Sequence, residues 1–124
     1  MPKTLIAYLY VEDNDDIREA LTPLLWADHR EVVVAPDAET ALKLLATRAF
    51  DVLITDVSLP GLSGTDLARE WLKTNPLRPV LLLSGYEFGQ GLGAIGVNVR
   101  ALLKTCDPEE LEVVLGKMER ALPG

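Results

Sequence analysis

A chain of 124 residues, 48% apolar and 25% charged, is long enough to bury a core without staples and too apolar to stay disordered. A formal charge of −7, from 12 Lys and Arg against 19 Asp and Glu, repels a phosphate backbone and argues against direct nucleic-acid binding. The lone Cys106 cannot pair within the chain, and the apolar stretch from Leu5 to Val11 is too short for a bilayer and lacks signal-peptide flanks, so a cytoplasmic protein free of the membrane is expected.

Leu5 to Val11 is a β-prone run of strand length. After it, Asn14, Asp15 and Asp16 supply a cap and the acidic first turn of a helix whose inner face reads Ile17, Ala20, Leu21 and Leu24. Pro23 lies inside that pattern, where a missing donor and a steric clash cost about 3 kcal/mol, so a kink or an early end is expected. His29 reads as a surface turn residue before the second run, Glu31 to Ala35. A second helix follows Asp37, with Ala38, Ala41, Leu42 and Leu45 inward. Asp51 to Thr55 is the third strand, and a third helix after Gly64 carries Leu67 and Trp71. Pro79 to Ser84 is the fourth strand. Residues 85–98 are glycine-rich with a weak helical stripe, so the fourth helix should be short or loose. Val99 to Leu103 is the fifth strand. The last helix starts with Asp107 as N-cap, Pro108 in the first turn and Glu110 completing a capping box, and buries Leu111, Val114, Leu115 and Met118.

Strands apolar on both faces and alternating with helices predict an α/β fold over residues 1–124: one domain, a doubly wound parallel sheet covered by helices on each side. Ligands of such sheets bind beyond the carboxyl ends of the strands, where strand order reverses. Glu12 and Asp13 follow the first strand, Asp56 the third, Ser84 ends the fourth and Lys104 follows the fifth. Converging carboxylates must protonate, bind a cation or borrow a positive side chain. An oxygen-only set suits Mg2+, whereas zinc would want His or Cys. Asp56 then has the chemistry of a carboxylate nucleophile towards a phosphoryl group, with Lys104 as a nearby ammonium and Ser84 as a hydroxyl donor.

Tyr10-Val11-Glu12-Asp13-Asn14-Asp15, Asp51 to Gly64, Leu81-Leu82-Leu83-Ser84-Gly85 and Leu102-Leu103-Lys104 together resemble the receiver domain of two-component response regulators over nearly the whole chain. The resemblance implies a flavodoxin-like five-stranded sheet of order 2-1-3-4-5 with five helices. It also implies that Asp56 accepts a phosphoryl group from a histidine kinase or a histidine phosphotransfer protein. Mg2+ would be held by Glu12 or Asp13, Asp56 and the Ser58 backbone carbonyl, with Lys104 and Ser84 gripping the phosphate and Ser58 and Tyr86 tuning its loss. An unidentified downstream protein would read the switch. Family members usually carry proline directly after the lysine and an aromatic residue three positions before it; this chain has Thr105 and Ala101. Those departures motivate the alternative of a receiver-like scaffold or relay module with an output independent of phosphorylation. Gly91 to Gly96 matches a dinucleotide fingerprint only formally, since no strand directly precedes it. A haloacid-type phosphatase would need a carboxylate where Ser58 stands.

Overall fold

The computed structural model describes residues 5–85, 91–104 and 107–122. In chain order these form β1 (Ile6–Val11), α1 (Asp15–Leu25), β2 (Arg30–Ala35), α2 (Ala38–Thr47), β3 (Val52–Asp56), α3 (Gly64–Leu72), β4 (Val80–Ser84), α4 (Leu92–Ile95), β5 (Val99–Leu103) and α5 (Pro108–Arg120). All strand pairs are parallel, in the order β2-β1-β3-β4-β5. The flavodoxin-like topology expected above is therefore the one observed.

Alternation along the strands divides the core in two. Leu9 and Val11 of β1, Leu53 of β3 and Leu82 of β4 face Ala38 and Ala41 of α2 and Leu67 and Trp71 of α3. The intervening Tyr8, Tyr10, Ile54, Leu81 and Leu83 face Leu25 of α1 and Leu111, Leu115 and Met118 of α5. Burial of each such leucine contributes about 2 kcal/mol, and both layers are needed to cover the central strands. β1, β3 and β4 are almost wholly buried, while the edge strands β2 and β5 leave Val34 and Leu103 partly exposed.

Two expectations need correction. α1 packs Leu21 and Leu25 against the core, half-buries Ile17 and leaves Ala20 and Leu24 in solvent, because consecutive Leu24 and Leu25 offered two possible stripes and only Leu25 reaches the core. Asp107 does cap α5 in an extended conformation, but its side chain makes no capping bond, so the capping box with Glu110 is not formed. Glu109 and Glu110 crowd two more carboxylates into that turn, and all three residues are exposed, so water serves the first N–H groups. α1 runs through Pro23 and stops two residues later. Pro23 lies on its solvent side. The fourth helix is one turn long, as its composition implied. The expectations on Tyr86, Thr105 and Cys106 lie outside the described residues.

Candidate functional site

β1 and β3 lie side by side at the centre of the sheet, and the chain departs from them towards opposite edges. Their carboxyl ends are the topological switch point. Glu12 follows β1 and is fully buried, Asp13 beside it is exposed, and Asp56 ends β3 at 2% exposure. One carboxylate oxygen from each of the three lies within 4.8 Å of the other two. Lys104, just beyond β5, brings its ammonium to 2.9 Å from Asp56 Oδ2 and 3.6 Å from Glu12 Oε1. Its backbone N–H donates to the carbonyl of Ser84, which ends β4 and is buried. Glu12, Asp13, Asp56, Ser84 and Lys104 thus share one end of the sheet, as their places at strand ends implied.

Local bonds set the shape of the acidic centre. The Asn14 N–H donates to Glu12 Oε2 at 3.1 Å, while the Asn14 side chain accepts from the Ile17 N–H and caps α1. Ser58, exposed two residues beyond Asp56, donates its N–H to Asp56 Oδ1 at 3.3 Å. Gly64 begins α3 against the end of β3, and its N–H donates to the Val57 carbonyl. A Cβ at Gly64 would stand 2.0 Å from the Asp56 carbonyl oxygen, so this close approach demands glycine.

Charge balance follows from burial. Desolvation raises the Glu12 carboxyl above its ordinary value, and the Asp56 charge adds to the rise; the Asn14 N–H and Lys104 oppose it. For Lys104, burial works against the ammonium, yet the hydrogen bond and charge of Asp56, with Glu12 behind it, hold its pKa above the ordinary value. Glu12 Oε1 is buried without a hydrogen-bond partner. A buried carboxylate oxygen without a hydrogen bond, beside two further carboxylates and with oxygen as the donor atom throughout, fits a hard divalent cation such as Mg2+.

The family model of the response regulator receiver domain matches residues 8–115. The chain belongs to that family. The receiver domain is 41% identical over 94 residues to the response regulator protein FleR of Pseudomonas aeruginosa, covering 76% of this chain and 19% of that protein. Over 120 residues it is 32% identical to the two-component response regulator PhoP of the same species, covering 94% and 52%. The chain therefore spans from about a fifth to about half the length of these relatives. Among solved structures, the response regulator TrrA of Thermotoga maritima in complex with Mg2+ and BeF is similar at a TM-score of 0.80 and 28% identity, covering 92% and 99% of the two chains. No helix among the described residues is long and apolar enough to cross a membrane.

Sequence reasoning missed two features of the receiver domain. Arg18, one turn into α1, donates to the Glu12 carbonyl at 2.8 Å; its only sequence signal is a cation shortly after the acid pair. At the opposite end of the sheet, the guanidinium of Arg30 is buried between Glu119 (2.6 Å), Glu112 (2.6 Å) and the Leu25 carbonyl, and the Tyr8 hydroxyl donates to Glu119. His29 is an exposed turn residue as expected, yet it also reaches Glu119 at 3.0 Å.

Proposed function

We propose that residues 1–124 act as one cytoplasmic phosphoacceptor module, in which Asp56 takes a phosphoryl group from the phosphohistidine of a sensor kinase or phosphotransfer protein. The single observation that carries this reading is the buried Asp56 carboxylate, held by Lys104 at 2.9 Å within an acidic cluster. A Mg2+ ion held by Glu12, Asp13, Asp56 and the Ser58 backbone carbonyl would supply the positive charge that offsets both the three carboxylates and the incoming phosphoryl oxygens.

The chain's own groups divide the remaining work. An Asp56 carboxylate oxygen attacks phosphorus as the donor's P–N bond breaks, and the imidazole leaves with its electron pair. Lys104 moves its ammonium from a carboxylate partner to a phosphoryl oxygen as negative charge accumulates there. The Ser84 hydroxyl, at the end of the neighbouring strand, donates to a second phosphoryl oxygen, so phosphorylation changes the surface that a downstream protein meets. Water attack at phosphorus breaks the bond to the Asp56 oxygen, releases inorganic phosphate and returns Asp56 to its carboxylate, with Ser58 flanking the path.

A second reading, a scaffold whose output does not depend on phosphorylation, draws on Ala101, which occupies its position on β5 as a small side chain packed against the core. Incubation with acetyl phosphate and Mg2+ separates the two. Phosphoacceptor function predicts one added phosphoryl group by intact mass, labile to hydroxylamine and missing in Asp56→Asn; an unmodified parent protein would favour the scaffold.

A further inference from the structure

Arg18 is a cation in a neighbourhood where a divalent ion is expected to bind. By charge alone it works against that ion. Its geometry points elsewhere. One terminal nitrogen donates to the Glu12 carbonyl at 2.8 Å, the other contacts the Asp15 carboxylate, and its side chain is 19% exposed. Its backbone N–H donates to the Asn14 carbonyl and its own carbonyl accepts from the Thr22 hydroxyl, so the residue is fastened within α1 before it reaches the loop.

The consequence lies in the three residues that join β1 to α1. Glu12 is held at its carbonyl by Arg18 and at Oε2 by the Asn14 N–H, while Asn14 is itself fixed as the α1 cap. With those atoms committed, only Oε1 of Glu12 stays without a hydrogen-bond partner, on the side facing Lys104. Loss of the Arg18 bond frees the peptide between Glu12 and Asp13, and with it the relative placement of two of the three carboxylates.

We propose that Arg18 is a positioning residue, tying the first turn of α1 to the Glu12 carbonyl so that Glu12 and Asp13 are held ready for a divalent cation. The inference rests on the metal reading above and adds a residue that does not touch the metal. Its sign is opposite to the Coulomb effect: neutralising Arg18 should weaken cation binding, whereas removal of a mere repulsive charge would strengthen it. Groups that orient metal ligands are typically worth 10- to 100-fold in affinity.

The test uses Arg18→Met, which keeps the aliphatic stem packed, and Arg18→Lys, whose ammonium can reach the same carbonyl. Mn2+ binding to the metal-free protein is followed by the free-ion electron paramagnetic resonance signal, with urea midpoints recorded alongside. Amide exchange at Asn14 reports the loop without any metal. Arg18→Met should bind Mn2+ at least tenfold more weakly, exchange the Asn14 amide faster and keep the parental urea midpoint, and Arg18→Lys should recover part of the loss. Equal or tighter Mn2+ binding by Arg18→Met, or weakening matched by a fallen urea midpoint with unchanged Asn14 exchange, overturns the positioning role. Failure of the parent protein to bind Mn2+ would instead refute the metal reading, and this inference with it.

Discussion

Replacing Gly64 by alanine places a methyl group where the Asp56 carbonyl already is. The added carbon would lie 2.0 Å from that oxygen and 3.0 Å from Thr55 Oγ1, against an ordinary contact distance of about 3.5 Å. The nearer obstacle is the Asp56 backbone carbonyl, which no side-chain rotation can move aside, so α3 must retreat from the strand by about 1.5 Å. That retreat stretches the 3.0 Å bond from the Gly64 N–H to the Val57 carbonyl. Overpacking costs about 1–3 kcal/mol and a lost net hydrogen bond about 1 kcal/mol, so about 3 kcal/mol is expected. For a chain of this size that is a fall in Tm of about 10 °C. Because the atom the added methyl presses on is the backbone carbonyl of Asp56 itself, the proposed phosphoacceptor, whatever part of the strain β3 absorbs moves that residue, and a shift of about 1 Å there should also slow acetyl-phosphate labelling of Asp56 by about 100-fold. Calorimetry and a timed intact-mass assay on Gly64→Ala check both numbers. A variant that melts within about 2 °C of the parent and is labelled at the parental rate would refute the claim that this contact seats Asp56.

Three further outcomes follow from buried polar groups. Burial raises the Glu12 carboxyl above its ordinary 4.5, so the folded protein binds that proton more tightly than the unfolded chain, and metal-free stability falls as pH rises through the raised value. Glu12→Gln should remove that slope, stabilise the metal-free protein at pH 7 and abolish the rise in Tm on adding Mg2+, all measurable by thermal melts with and without chelator. Glu119 has the opposite sign: burial opposes its charge, but bonds from Arg30, Tyr8 and His29 hold its pKa below 4.5. Its contribution is present above about pH 4.5 and lost as pH falls through the depressed value, so melts across the acid range should show a flatter decline for Glu119→Gln, which also costs about 3 kcal/mol near neutrality by leaving Arg30 underpaired. The Tyr10 hydroxyl is buried without a partner, and burial followed by the charges of Glu12 and Asp56 raises its pKa. Tyr10→Phe should therefore be neutral or stabilising by up to about 1 kcal/mol in urea denaturation.

The acidic site was legible before any coordinates because it depends on placement at strand ends. An apolar run followed at once by Glu12 and Asp13, another followed by Asp56, and the parallel sheet they imply already bring those carboxylates to one edge. The approximate spans of all five strands could be read because each is a short β-prone apolar run between turn and helix signals, and for the central β1, β3 and β4 burial on both faces needs no knowledge of register. The inward face of α1 was less accessible: Leu24 and Leu25 are equally apolar, and only the position of the sheet selects Leu25.

Local composition thus determined the elements, their order and the chemical character of the strand ends. Tertiary structure alone decided which charges are satisfied by which partners. Tyr8 and Glu119 lie 111 positions apart and Arg30 and Glu112 lie 82 apart, yet they share one buried network, while Glu12 Oε1, bracketed by local bonds, is the buried carboxylate oxygen that has no hydrogen-bond partner among the described residues. Hydrophobic periodicity is a property of neighbours along the chain, whereas a charge buried among distant residues is stable only where the whole packing supplies its counter-charge.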